Sequence, residues 1–118
     1  MSRVREAFCR GKAFIPFITC GDPDLETTER LVYAMEEAGA SLIELGIPFS
    51  DPTAEGPVIQ EASSRALAGG VSTEKIFAMV SGIRKKTDIP LVMVQQVFQK
   101  HQMLQRLCIN ILLKMAVM

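Results

Sequence analysis

The sequence predicts an α/β fold in which short parallel strands alternate with helices. Brief apolar runs rich in β-forming residues alternate with longer segments whose apolar residues recur at helical spacing, and glycine or proline marks most boundaries. This alternation is typical of right-handed βαβ units and a parallel sheet. Three strands cannot close a (β/α)8 barrel, which typically needs about 250 residues. The pattern therefore indicates either part of such a barrel or a small open sheet.

The three predicted strands are residues 13–19, 41–45 and 89–94. The first, AFIPFIT, is a continuous apolar run, which is typical of a parallel strand buried on both faces. Pro16 counts against a central position in the sheet, because proline has no backbone N–H to donate. The second strand, SLIEL, ends at Gly46, and the third is the run IPLVMV.

Three helices are predicted from capping residues and apolar spacing. The first begins after the N-cap Asp24 and runs to about Ala38. Its predicted buried stripe consists of Thr28, Leu31, Val32, Met35 and Ala38.

The other two helices follow the second strand. One begins at Pro57 and stops at Gly69, and the other begins after Ser72 or Thr73 and runs to Lys86. Their predicted inner faces are Val58, Ile59, Ala62 and Ala66 in the first, and Ile76, Phe77, Val80 and Ile83 in the second.

The last quarter of the sequence has a different character. No Asp, Glu, Gly or Pro occurs from residue 91 to 118, and the stretch 108–113 is nearly apolar all round. Such a stretch must be buried against something or promote aggregation. We therefore divide the chain into residues 1–92, the part with the α/β pattern, and a divergent tail, residues 93–118.

Composition excludes several classes of function. Thirteen basic and thirteen acidic residues cancel, so no nucleic-acid or anionic membrane partner is expected. Three widely spaced cysteines indicate buried or idle thiols in a reducing compartment. The basic N-terminus lacks the apolar run of a signal peptide, and no stretch is long and apolar enough for a membrane span. A cytoplasmic protein is expected.

Two carboxylates are the candidates for chemistry. Glu44 interrupts an apolar strand near its carboxyl end, where ligands bind in parallel-sheet proteins. A lone charge there is costly unless it is paired or neutral, so a structurally satisfied interior glutamate is the alternative. Glu55 lies in the loop that leaves the same end of that strand, where it either faces the same cavity or is simply solvated. Asp51, in the turn before Pro52, is either a third functional carboxylate or a turn-forming residue.

Other kinds of site lack their residues. His101 is the sole histidine and lies in the divergent tail, so neither a Ser-His-Asp triad nor a multi-histidine metal site is expected. No G-x-G-x-x-G or Walker-type loop occurs. Phosphate sites in barrels usually follow strands 7 and 8, which lie beyond this sequence.

Residues 14–92 resemble the amino-terminal region of the tryptophan synthase α chain family. The residues that carry the resemblance are FIPFITCGDPD at 14–24, AGA at 38–40, ELGIPFSDPTAEGPVIQEA at 44–62, RALAGGVS at 65–72 and IPLV at 89–92. A match of this length is far more specific than any short motif.

The resemblance implies a (β/α)8 barrel that cleaves indole-3-glycerol phosphate to indole and glyceraldehyde 3-phosphate in tryptophan biosynthesis. It also implies an αββα assembly with a β chain that carries PLP, so no cofactor is expected in this chain. Glu44 matches the general acid/base, and Glu55 matches a second carboxylate that is Asp in the best-known members. Phe17 matches a position at the indole pocket, and Asp51 and Pro52 match the loop facing the β chain.

The resemblance ends after residue 92, where the family continues with further β/α units. A frameshifted or prematurely ended reading frame is expected there, with a genuine short protein as the alternative. A chain without the phosphate site is expected to bind the substrate weakly or not at all. A non-catalytic interaction module and a non-functional fragment are therefore alternatives to a lyase.

Overall fold

A parallel sheet of three strands forms the centre of the fold, in a computed structural model that describes residues 3–49 and 56–94. The strands are β1 (Phe17–Thr19), β2 (Ile43–Gly46) and β3 (Leu91–Val94), and they lie in the order β1-β2-β3. The helices are α1 (Arg3–Phe8), α2 (Leu25–Glu37), α3 (Pro57–Ala68) and α4 (Thr73–Arg84). The predicted succession of strands and helices is confirmed, and α1 is an addition to it.

Capping residues fix where the helices begin. The Asp24 carboxylate accepts a hydrogen bond from the Thr27 backbone N–H at 2.7 Å, and the Ser72 hydroxyl accepts one from the Lys75 N–H at 3.3 Å. Pro57 occupies the first turn of α3, where its missing N–H leaves no intrahelical bond unmade. All three starts agree with the sequence prediction.

The apolar core lies on one face of the sheet. Ile43 and Leu45 of β2 point to this face with Leu91 and Met93 of β3, and all four are buried. The same cluster contains Val32 from α2 and Ile76, Met79 and Ile83 from α4. Helices α2 and α4 therefore cover this one face.

Strand order and helix placement are those expected for part of a (β/α)8 barrel. Such a barrel winds in one direction and keeps its helices outside, so consecutive strands are neighbours and their helices share one face. Here the order is β1-β2-β3, and α2 and α4 pack on the same face. In a segment of such a barrel, the face without α2 and α4 corresponds to the barrel interior.

The first strand is shorter than predicted. Residues 13–16 are not part of β1, which starts only at Phe17. Pro16 has no N–H for the ladder, although its carbonyl still accepts from the Glu44 N–H at 2.9 Å. Phe14 contacts Ser41 in a separate pair, in which the Ser41 N–H donates to the Phe14 carbonyl at 2.8 Å. The other two strands begin two residues later than predicted, and β2 ends at Gly46.

The predicted helix faces need four corrections. Leu31 and Phe77 are each 37% exposed, Val58 is 74% exposed, and Ala38 is exposed as the C-cap of α2. A three-stranded sheet contacts only a narrow stripe of each helix, so residues at the flank of an apolar stripe stay in solvent. In α4, Met79 is buried, whereas the predicted inner face contained Phe77 and not Met79.

No helix in residues 3–49 and 56–94 is long and apolar enough to cross a membrane.

Candidate active site

Phe17, Glu44 and Val92 form a row across the sheet. Phe17 is the register partner of Glu44 in the β1–β2 ladder, and Glu44 is the partner of Val92 in the β2–β3 ladder. Side chains alternate along a strand, so these three lie on the face opposite the buried Ile43 and Leu45. The site is thus a carboxylate flanked by an aromatic and an aliphatic side chain on the interior face of a barrel segment.

Glu44 is half-buried, between two fully buried neighbours in β2. Within residues 3–49 and 56–94, no side chain or backbone group hydrogen-bonds or ion-pairs with its carboxylate. That part of the chain therefore contains no structural partner for the Glu44 carboxylate. A carboxylate held on a strand and flanked by apolar groups, with no partner in the described part of the chain, is suited to exchanging a proton with a ligand.

The Phe17 ring extends from this row towards the carboxyl ends of the strands. Thr19, Gly46 and Val94 form the next row, which ends all three strands. A Cβ built on Gly46 would lie 2.5 Å from Phe17 Cζ and 3.0 Å from Cε2. The ring therefore lies directly on the Gly46 backbone, beside Glu44 and at the end of the sheet where barrel enzymes bind ligands.

The loop after β1 is fixed by contacts with α2 and α3. Arg65 of α3 makes two parallel hydrogen bonds to Asp22, from Nε to Oδ1 and from Nη2 to Oδ2, each 3.0 Å long. Gly21 packs close to Val71 and Ala66, and its N–H donates to the Thr28 hydroxyl at 3.0 Å. These contacts hold the carboxyl end of β1, and with it the strand that carries Phe17.

Three predicted site residues lie outside the described residues. Glu55, Asp51 and Pro52 belong to the segment 50–55, so their relation to Glu44 stays a prediction. The predicted apolar stretch 108–113 and His101 also lie outside them. Among the described residues, no group of three or more His, Cys, Asp or Glu side chains is placed to hold a metal ion.

Gly46 is the site residue that sequence reasoning used only as a strand stop. Its position two residues after Glu44 places it on the same face of β2 as the carboxylate. That spacing was visible in the sequence. Its contact with Phe17 was not, because it depends on the register between β1 and β2.

Comparisons with known proteins identify the family. The family described as "Tryptophan synthase alpha chain" matches residues 5–105. The chain is 52% identical over 99 residues to the tryptophan synthase alpha chain of Geotalea daltonii, covering 80% of this chain and 38% of the relative. It thus spans less than half the length of that relative.

Solved structures agree with the sequence comparison. The tryptophan synthase subunit alpha of Legionella pneumophila str. Paris superposes with a TM-score of 0.79 at 35% identity, covering 99% of this chain and 45% of that one. A chain from the tryptophan synthase a2b2 complex of Pyrococcus furiosus gives a TM-score of 0.68 at 38% identity, covering 80% and 36%. The prediction of a partial (β/α)8 barrel is confirmed. This chain belongs to the tryptophan synthase alpha chain family.

Proposed function

We propose that this chain provides the proton-transfer part of a carbon–carbon lyase that cleaves indole-3-glycerol phosphate to indole and glyceraldehyde 3-phosphate. The observation that carries the proposal is the row Phe17–Glu44–Val92, in which a carboxylate with no hydrogen-bond or ion-pair partner among residues 3–49 and 56–94 lies between apolar side chains. A flat aromatic substrate needs apolar neighbours for its ring and a positioned acid for its chemistry, and this row offers both.

Glu44 is the general acid and base in this proposal. It delivers a proton to C3 of the indole ring, which gives an indolenine. The glycerol hydroxyl on the carbon attached to C3 then loses its proton to the Glu44 carboxylate that the first step leaves. Its electrons form the aldehyde of glyceraldehyde 3-phosphate, the bond to C3 breaks, and the electron pair of that bond returns to the ring. No redox step is required, so the two proton transfers complete the chemistry.

Glu55 is the second carboxylate in this proposal. It accepts the indole N–H and stabilises the positive charge that develops on the ring during protonation. Glutamate is one methylene longer than the aspartate of the best-known members, so the loop must retreat by roughly one C–C bond length for the same contact. Positioning matters here because an error of about 1 Å can cost on the order of 100-fold in rate.

The partner is a β chain, as in the a2b2 complex named for the Pyrococcus furiosus protein. Asp51 and Pro52 contact it in this proposal, and any PLP belongs to that partner rather than to this chain. The proposed boundary between a barrel part, residues 1–92, and a divergent tail, residues 93–118, falls inside β3, so the barrel part extends at least to Val94. Cytoplasmic location follows from the same assignment.

A chimera tests the catalytic role. Residues 1–94 of this chain replace the equivalent segment of the Geotalea daltonii relative, and indole release from indole-3-glycerol phosphate is measured with saturating β chain. We expect turnover from the chimera and a loss of about 100-fold or more in kcat with Glu44→Gln, because general acid–base catalysis typically contributes about 10²–10⁴-fold.

Glu37→Gln is the matched control, since Glu37 is exposed at the end of α2. It should leave kcat unchanged. Turnover by the Glu44→Gln chimera at the parent rate would remove Glu44 from the proposed role. A parent chimera that binds the β chain without releasing indole would instead indicate the interaction module.

A further inference from the structure

The backbone conformation of Gly46 does not require glycine. The glycines with positive φ in residues 3–49 and 56–94 are Gly11, Gly21, Gly39 and Gly70, so Gly46 adopts a strand conformation that any residue accepts. Glycine inside a strand weakens it, since it adds chain entropy and packs no side chain. Glycine at such a position often marks a place where another group approaches the backbone closely.

The group that approaches Gly46 is the Phe17 ring. A Cβ on Gly46 would lie 2.5 Å from Phe17 Cζ, far inside any contact that a real Cβ makes, and 3.4 Å from the Ile18 carbonyl oxygen. The backbone contact is tolerable, whereas the ring contact is not. Because Cζ is the far end of a rotatable side chain, an alanine at this position would move the ring rather than the strand.

We propose that Gly46 is a positioning residue for the active site. It lets the Cζ end of the Phe17 ring contact the end of β2, beside Glu44, and so keeps the space above the sheet open for the aromatic ring of the substrate. This inference rests on the proposed function. Gly46 itself touches no reacting atom, and it acts only by setting where Phe17 stands.

The contact predicts a specific effect on binding. With alanine at position 46, the ring must lift off the strand into the space that the indole group would occupy. KM for indole-3-glycerol phosphate should rise, and kcat/KM should fall by about 100-fold, the loss expected for a displacement of about 1 Å. Most of that loss should appear in KM, because Glu44 keeps its place in β2.

Fluorine NMR tests the contact without requiring activity. The 118-residue chain is labelled with 4-fluorophenylalanine, which places the fluorine on Cζ and gives six resonances for six phenylalanines. Phe17→Leu assigns the Phe17 resonance. Gly46→Ala should move that resonance more than the other five. Gly82→Ala is the matched control, because the nearest atom to a Cβ on Gly82 is 3.9 Å away. An unmoved Phe17 resonance in Gly46→Ala would overturn the proposal.

Kinetics of the chimera test whether the effect of Gly46 depends on the Phe17 ring. Gly46→Ala is compared in two backgrounds, with Phe or with Leu at position 17. If Gly46 acts through the ring, its alanine variant costs about 100-fold with Phe17 and far less with the shorter leucine. An equal cost in both backgrounds overturns the proposal. Absence of indole release from the parent chimera counts against the proposed function instead, and the fluorine spectra then decide the Gly46–Phe17 contact alone.

Discussion

The Gly21 backbone N–H donates a hydrogen bond to the Thr28 hydroxyl at 3.0 Å, and that hydroxyl donates in turn to the Asp24 carbonyl at 2.9 Å. One side chain thus joins the loop after β1 to the first turn of α2. Thr28 is buried, with 1% of its surface exposed, so water cannot replace it. The link fixes the direction in which the chain leaves β1.

Thr28→Val should lower the free energy of unfolding by about 1–3 kcal/mol, because it leaves the buried Gly21 N–H without a partner while keeping the side-chain shape. Urea unfolding followed by circular dichroism measures the change. Thr73→Val, at the exposed start of α4, is the control and should have a much smaller effect. Equal losses in the two variants would contradict a specific role for the Thr28 hydroxyl.

Gly21→Ala should be among the most damaging substitutions in the loop. Gly21 has a φ of +88°, and an added Cβ would lie 2.9 Å from Val71 Cγ2. Backbone strain costs about 1–3 kcal/mol and overpacking a further 1–3 kcal/mol, so the sum is about 2–6 kcal/mol.

Gly11→Ala separates these two causes. Gly11 also has a positive φ, +102°, but a Cβ there would meet nothing within 4 Å. Only the strain of about 1–3 kcal/mol should remain. Thermal unfolding of both variants gives the difference, and a Gly11→Ala loss as large as that of Gly21→Ala would show that the Val71 contact is unimportant.

Local chemistry explains which parts of the fold the sequence predicted. Helix starts at Asp24, Pro57 and Ser72 depend on a cap or a proline within one turn, so a short window of sequence contains the cause. The start of β1 depends on Pro16 together with the distant Ser41, which a local window cannot contain.

In the candidate site, too, single residues could be identified from the sequence, whereas the contact between them could not. Glu44 stands out in the sequence because a carboxylate interrupts an apolar strand, and Phe17 entered through family resemblance. Their pairing across β1 and β2 is a matter of register, which depends on how the whole sheet packs on α2 and α4. The exposure of Phe77 also depends on packing, since Phe77 lies at the flank of the stripe of α4 that contacts the sheet.

The Asp24 cap predicts a pH dependence of stability. The hydrogen bond from the Thr27 backbone N–H lowers the pKa of the Asp24 carboxyl below its ordinary value of 3.8. A group whose pKa is lower in the folded state stabilises the fold above its unfolded pKa, and the contribution is lost as the pH falls through the folded pKa. The stabilisation by this cap should therefore be complete at pH 6 and disappear on acidification below about 3.8.

Asp24→Asn tests this sign, because asparagine can still cap the helix but does not titrate in this range. Urea unfolding should show a free energy of unfolding of the parent, relative to that of the variant, that is constant near neutral pH and falls below about pH 4. A relative free energy that stays constant down to pH 2, or rises on acidification, would contradict the assignment.

Cys20 should be inert towards thiol reagents in the folded chain. It is fully buried next to the end of β1, and burial raises the pKa of its thiol from 9.0 to about 12. At pH 8 this rise strongly reduces the fraction of thiolate, which is the reactive form. Cys9 is exposed at the end of α1 and serves as the internal control. Iodoacetamide labelling, read out peptide by peptide by mass spectrometry, should modify Cys9 quickly and Cys20 only after urea is added. Labelling of both cysteines at similar rates without urea would show that the core around β1 opens readily, and the positions inferred for Phe17 and Gly46 would then describe only part of the population.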